Sequence, residues 1–465
     1  MSGISNNIPE QSTKTMVSYG AGKFLAEFFA QAFGVIVFFY YEVVVDLDVG
    51  LAALGFILYS LWNAINDPLI GYLTEKRTTR FSSKFGRRFP WIFIGSISYV
   101  FSFMIIFLIP AEIQSDQFTL FLWLVMSTCL FDTLYSLWDV NYQSVFPDKF
   151  RTEKERNRTA GIATAIGVIG IAAGFILPTV FTDSEIPGSY ITNAIIFIII
   201  GIMFVVLLVG GRGVRESSDM IQRYLTDRSK KEDENFLNDF KNAFKERNFV
   251  AWIVLYFFYQ SAVVTLTASV EYVGDFILPP EESNTLIFVG LLVGALIALP
   301  IWLRLFKRIR SNQRIMMITA VLMALFVLPM IFVSTLNEFT IFVFLFGLGF
   351  GGYWMIMTPA LADVIDEIVI KTGKRNDGIF MGFRAFFGRL AFAVQALSFW
   401  MVHELTGFDG SVDDQIPSAI FGIHLHTGLF PAIFLIIGVL VFWMLNDLNP
   451  EKVEGNKRYL AEKGL

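Results

Sequence analysis

Twelve apolar stretches separated by polar connections organise this chain of 465 residues: Val17–Tyr40, Gly50–Tyr72, Phe89–Ile109, Phe118–Phe146, Ala160–Phe181, Tyr190–Gly210, Phe249–Tyr272, Asn284–Leu305, Ile315–Thr335, Thr340–Ala362, Gly378–Met401 and Gly422–Leu445. Each is long enough to cross a bilayer as a helix, because about 1.5 Å of rise per residue carries about 20 residues through the hydrocarbon. The pattern predicts an all-α membrane protein with twelve transmembrane helices.

The connections alternate in charge. Those after spans two, four, six, eight and ten hold Lys76/Arg77/Arg80/Lys84/Arg87/Arg88, Lys149/Arg151/Lys154/Arg156/Arg158, nine basic residues from Arg212 to Arg247, Arg304 to Arg314, and Lys371/Lys374/Arg375. The others carry no Lys or Arg. Positive loops stay on the cytoplasmic side during insertion, so a multi-pass protein of the cell membrane with both termini cytoplasmic is expected. The longest connection, Gly211–Asn248, contains an amphipathic trace at Phe236/Leu237/Phe240/Phe244 that predicts a surface helix. It splits the chain into a six-span bundle at 1–210, a linker at 211–248, and a second six-span bundle with a tail at 249–465. Six plus six around a long central connection resembles the plan of the major facilitator superfamily, in which two bundles rock about a site at the bilayer midplane.

Composition agrees: 55% hydrophobic residues, 50 Phe and 17% charge lie far from the averages of soluble domains. A net charge of -5, with acids on one side and bases on the other, reads as topology and implies no nucleic-acid partner. The single cysteine, Cys129, excludes an intramolecular disulfide or thiolate cluster. No short apolar segment with a small-residue cleavage site precedes the first span, which is expected to direct its own insertion. Glycines at Gly167/Gly170/Gly174 and Gly347/Gly349/Gly351/Gly352 predict close helix approach.

Candidate chemistry lies in charges at membrane depth, which cost roughly 2.5–3.5 kcal/mol each if lipid-exposed. Five stand out: Glu27, Asp67, Asp139, Arg384 and Arg389. The three acids fall in one layer of the first bundle. Asn63 lies four residues before Asp67, and Ser136 three before Asp139. Oxygens of Asn63, Asp67, Ser136 and Asp139 are of the kind that encloses a sodium ion; alternatively, one desolvated carboxylate carries a proton. Arg384 and Arg389 are the bases of the second bundle. Acids on one wall and bases on the other suit a polar ligand with hydroxyls or an anionic group.

Asn66-Asp67-Pro68-Leu69-Ile70-Gly71 and the following Gly86-Arg87-Arg88-Phe89-Pro90-Trp91 resemble the glycoside–pentoside–hexuronide:cation symporter family. The resemblance extends to Tyr19-Gly20, to Trp138-Asp139 with Pro147, to Ala362-Asp363-Val364-Ile365-Asp366 and to Thr372-Gly373-Lys374-Arg375-Asn376-Asp377-Gly378, spanning nearly the full chain. It implies uptake of a sugar or glycoside coupled to sodium or protons, with no cofactor, by a monomer. It places Asn63, Asp67 and Ser136 at the cation positions, Glu27 and Asp139 as acceptors of sugar hydroxyls, Arg389 as the cavity base and Trp354 beside the sugar ring. It also implies a gate pairing Arg156 with Asp366 and Asp377, beside Asp363 and Arg375.

The departures are informative. Asn63 replaces a frequent second carboxylate, which gives weight to proton coupling. Gln143 replaces an aromatic, and Thr164 an arginine, while Arg384 adds a base on the eleventh span. A cation moved across the cavity favours an acidic glycoside such as a hexuronide. The alternatives are a carrier of lysophospholipid or another amphiphile in the same superfamily and, more remotely, a membrane-embedded enzyme or sensor. No His-Glu-x-x-His, nucleophile elbow or phosphate loop is present to support an enzyme. His403, His424 and His426 are expected at ordinary interfacial positions.

Overall fold

In a computed structural model, residues 10–76, 86–217, 221, 244–279, 283–373 and 377–463 are described. Twelve long helices form in the expected order: α1 Thr13–Phe39, α2 Val49–Lys76, α3 Phe89–Phe107, α4 Gln117–Lys149, α5 Glu153–Phe181, α6 Gly188–Gly210, α7 Arg247–Phe276, α8 Thr285–Ile309, α9 Asn312–Val327, α10 Leu336–Thr372, α11 Asp377–Thr406 and α12 Pro417–Leu445. A tail helix, α13, follows at Pro450–Lys463. Most of the predicted surface helix, including Phe236, Leu237 and Phe240, lies outside the described residues.

Local chemistry sets several ends. The Ser12 hydroxyl accepts from the Thr15 N–H at 3.2 Å to start α1. Thr152 and Glu155 form a reciprocal capping box on α5. Helix α10 continues to Thr372, well past the apolar run ending at Ala362, because capped and solvated helix propagates beyond the hydrocarbon. Its last turns therefore carry Asp363, Asp366 and Glu367 clear of the apolar span.

Helices α1–α6 and α7–α12 pack as two bundles. The closest seams use glycine as predicted. A β-carbon at Gly170 of α5 would come within 2.7 Å of the Phe24 carbonyl oxygen on α1. One at Gly347 of α10 would come within 2.5 Å of the Leu291 carbonyl oxygen on α8. Bulky apolar side chains cover the outside, including Ile199, Val206 and Met126, as a lipid-facing surface requires. The bundles meet through α2 on α11, α1 on α7 and α5 on α8.

The first and last spans each depart from regular α-helix at one place. Tyr40–Val44 continues α1 as a π-helical turn, and Leu425–Leu429 forms a second one inside α12. Such turns widen the helix and re-aim its side chains.

Candidate functional site

A cavity of about 630 Å³ lies between the bundles. Its wall runs from Gln31 and Gly34, deep in α1, to Tyr19, Phe146 and Ala160, near the ends of α1, α4 and α5 that adjoin the basic loops. The cavity therefore opens on the basic face. Three acids line it, Glu27, Asp67 and Asp139, and three bases, Lys23, Arg384 and Arg389.

Helical spacing brings these groups together. Lys23 and Glu27 are one turn apart on α1, and the Lys23 ammonium pairs with Glu27 at 2.6 Å while the Gln31 amide donates to the other carboxylate oxygen at 3.2 Å. On α4, the Gln143 amide donates to Asp139 at 2.6 Å. Both predicted hydroxyl acceptors are thus held in place by neighbours on their own helices. The Arg389 guanidinium lies 5.0 Å from the centre of the Tyr135 ring and Arg384 5.6 Å from that of Tyr256, so each cation rests over an aromatic face. Arg384 also donates weakly to the Thr358 hydroxyl at 3.4 Å. Among the described residues, no carboxylate oxygen lies within 4 Å of it.

Beneath the acid wall lies a buried polar cluster between α2 and α4. The amides of Asn63 and Asn66 each donate to one oxygen of Asp132, the latter at 3.0 Å. Asn66 also donates to the Ser136 hydroxyl at 2.9 Å, and Ser136 donates onward to Asp67. Asp132, Asn66 and Asn63 are 2%, 1% and 1% exposed, which leaves the Asn63 and Asn66 carbonyl oxygens buried with no hydrogen-bond partner. The two orphaned carbonyls, the two carboxylates and the hydroxyl of this cluster are all oxygens of the kind a hard monovalent cation takes. Among the described residues, no three His, Cys, Asp or Glu side chains gather as a metal site.

The structure corrects the residue inventory in several places. The charged groups at membrane depth exceed the expected five: Lys23 stands beside Glu27, and Asp132 is the carboxylate beside Asn63. Asp132 on α4 therefore sets a carboxylate beside Asn63, where the sequence led to the expectation of none. Asp139 faces Gln143 and is not bonded into the Asn63–Asp67–Ser136 cluster. Asn63 and Ser136 lie behind the cavity wall, and Asp67 alone of the three lines it. Trp354 is half-buried against the core and outside the lining, whose aromatic surface comes from Tyr19, Tyr135, Tyr142, Phe146, Tyr256 and Phe392. Lys23 and Asp132 were nonetheless legible by period: Lys23 is one turn before Glu27, and Asp132 one turn before Ser136.

At the basic face, Arg156 donates to the carbonyls of Phe150 at 2.8 Å and Pro147 at 3.3 Å. Asp363 pairs with Lys457 of α13 at 2.8 Å and accepts from Asn312 at 2.7 Å. Asp366 is half-buried three residues further along α10, Asp377 begins α11, and Arg375 lies outside the described residues. The histidines are buried within the protein: His403, His424 and His426 are 1%, 7% and 0% exposed.

The sequence matches the family described as MFS/sugar transport protein over residues 18–447. The sodium-dependent lysophosphatidylcholine symporter 1 of Xenopus tropicalis is 20% identical, the match covering 87% of this chain and 82% of that protein. The uncharacterized symporter sll1374 of Synechocystis sp. is 24% identical, with 92% of this chain and 93% of the relative covered. The structure of a POT family transporter in complex with 5-aminolevulinic acid superposes with a TM-score of 0.63 at 11% identity, covering 94% of this chain and 98% of that one. That likeness concerns the fold.

Proposed function

Because the chain belongs to the MFS/sugar transport protein family, we propose that it is a cation-coupled symporter of a polar, anionic solute, with an acidic glycoside as the favoured class. The carrying observation is Arg384. The cavity acids are engaged, Glu27 by Lys23 and Gln31 and Asp139 by Gln143, whereas this guanidinium faces the cavity with a hydroxyl and a ring as its neighbours. A cavity-facing guanidinium of this kind is stabilised by an anionic group forming a bidentate pair.

The cation enters at Asp67 and settles among Asp132, Asn63, Asn66 and Ser136. The solute spans the cavity from the hydroxyl acceptors Glu27 and Asp139 to Arg384 and Arg389. The bundles then exchange between forms open on either face, and only the empty or doubly loaded carrier does so. With the basic loops cytoplasmic, both termini lie inside the cell membrane's inner face and the cavity described above is the inward-open form. A membrane potential of 100 mV supplies about 2.3 kcal/mol for each charge moved. Sodium is favoured over a proton as the coupling ion, because the cluster offers two carboxylates and two orphaned carbonyls as candidate oxygen ligands.

A second reading has a specific basis: a lysophosphatidylcholine symporter is among the relatives, and a phosphodiester would meet Arg384 as well as a carboxylate does. Counterflow in proteoliposomes, with labelled neutral and acidic glycosides and lysophosphatidylcholine as competitors, separates the two. The acidic glycoside is expected to exchange and the neutral one to lose little in Arg384→Gln, which abolishes the preference. Competition by the lipid alone transfers the assignment to the second reading.

A further inference from the structure

The acidic face is closed by a buried polar cluster that transport chemistry in the cavity does not use. Glu42, on the π turn that ends α1, reaches across the bundle interface. Its Oε1 lies 2.6 Å from Nδ1 of His403 on α11, and its Oε2 accepts from the Tyr272 hydroxyl on α7. Behind them, His426 stands on the π turn of α12 with its ring centre 5.2 Å from that of His403. The Ser269 hydroxyl reaches the carbonyls of Thr265 at 2.7 Å and His426 at 3.3 Å, and with its proton on either of them its oxygen accepts from Nδ1–H of His426, at 2.7 Å. Phe399, Phe408 and Tyr272 pack around the two imidazoles. Tyr190 is the further titratable neighbour of Tyr272, and His424 that of His426, although His424 turns its Nδ1 to the Met330 carbonyl at 3.2 Å. Glu42, His403, His426 and Ser269 are at most 4% exposed, and Nε2 of both His403 and His426 is buried without a hydrogen-bond partner.

We propose that this cluster is a proton-responsive latch, remote from the cavity, which holds the acidic face shut and ties its opening to pH. Glu42 joins α1 to α7 and α11 through Tyr272 and His403, and His426 behind them is the responsive group. In the latched form His426 takes no second proton, because a proton on Nε2 would be a charged donor with nothing to accept it. Opening wets the ring, and below about pH 6.5 the wetted His426 takes up a proton from water. The latch is therefore tight at neutral pH and loosens in acid. With an ordinary solution value for a wetted imidazole, the ratio of open to latched forms rises about 16-fold at pH 5 relative to pH 6.5. The π turns make this arrangement possible, since each presents a residue that a regular helix would point elsewhere.

The inference rests on the rocking of the two bundles proposed above. Spin labels at Ile186 and Val412, both exposed on acidic-face loops of opposite bundles, in a Cys129→Ala background, report opening by double electron–electron resonance in lipid nanodiscs. The wild-type chain is expected to show a long-distance population that rises as pH falls below about 6.5. His426→Asn is expected to lose that rise, which separates this site from the cavity carboxylates. Retention of the full rise in His426→Asn overturns the proposal, as does a pH-independent wild type whose labels separate in Glu42→Ala. Labels that never separate in any variant or at any pH overturn the rocking itself.

Discussion

Replacing Asp132 by Asn tests the cation site where the structure differs most from the sequence expectation. The change is nearly isosteric and removes one of the two carboxylates bordering the orphaned carbonyls of Asn63 and Asn66. A unit charge about 4 Å from a cation contributes ~4 kcal/mol at an effective dielectric near 20. Hydrogen bonds from two amides already occupy part of that carboxylate's capacity, so a loss of about two-thirds of this figure, close to 100-fold in sodium affinity, is expected. Binding stabilises the folded chain by RT ln(1 + [L]/Kd). At a sodium concentration 100 times the wild-type Kd the gain is ~2.7 kcal/mol, and in Asp132→Asn at the same concentration about 0.4 kcal/mol. Thermal unfolding in detergent, with choline replacing sodium at constant ionic strength, reads the difference directly. An unchanged sodium-dependent gain in the variant refutes the role given to Asp132. A wild type indifferent to sodium refutes the choice of ion and leaves the proton.

Three further outcomes follow from packing, the tail and the cavity. Gly170→Ala and Gly347→Ala each drive a methyl into a backbone carbonyl of the neighbouring helix and are expected to destabilise by about 1–3 kcal/mol; Gly382→Ala, whose β-carbon would meet nothing within 4 Å, should be neutral in the same melts. Helix α13 is docked by Lys452, which bridges Asp447 at 2.7 Å and Glu367 at 2.8 Å. Burial pushes Asp447 up, but Lys452 and Asn248 outweigh it and hold the carboxyl below its usual range; burial pushes Lys452 down, and its two carboxylates bring it above. A depressed acid adds stability that is lost as pH falls below about 4, and a raised lysine adds stability that is lost as pH climbs above about 10. Limited proteolysis of the tail is therefore expected to be equal at pH 5 and pH 9, and faster at both in Lys452→Gln. Lys23→Gln frees Glu27 from its ion pair and should weaken solute affinity in counterflow while leaving sodium-induced stabilisation intact.

The topology was legible because bilayer thickness imposes one period on every span and insertion imposes one sign on alternate loops. The glycine seams were legible for a similar reason: only a residue without a β-carbon allows α5 to lie against Phe24 and α10 against Leu291. Asp132 was harder to see. It lies in the apolar run of α4, seven residues before Asp139, and its meaning depends on Asn63 and Asn66 arriving from another helix. The same holds for Glu42, whose partners are more than 200 positions away in the sequence. Spacing along one helix reveals which residues share a face, but not which face of which helix is opposite. The π turns at Tyr40–Val44 and Leu425–Leu429 are invisible to a 3.6-residue pattern, and they are what turns Glu42 and His426 inward.

The two faces of the molecule are held by different means, and this asymmetry yields a last test. At the basic face, where the cavity opens, ion pairs such as Lys371 with Glu246 and, within α13, Arg458 with Glu454 lie toward solvent and contribute about 0–1 kcal/mol each. At the acidic face, the Glu42 cluster is dry and joins the bundles, while a hydroxyl contact of 2.8 Å between Thr179 and Thr285 joins α5 to α8 nearby. Tyr272→Phe removes the hydroxyl that donates to Glu42 and leaves a buried carboxylate oxygen short of one partner. The cost is about 1–3 kcal/mol, and it falls on the latched form alone, since in the open form water replaces the hydroxyl. The open share should therefore rise about 5- to 150-fold. Alkylation of a single cysteine placed at Gly34, which lines the deep end of the cavity, by a reagent added from the acidic face of oriented vesicles measures that share. Equal labelling in Tyr272→Phe and the parent would show that the Glu42 cluster does not set which face is closed.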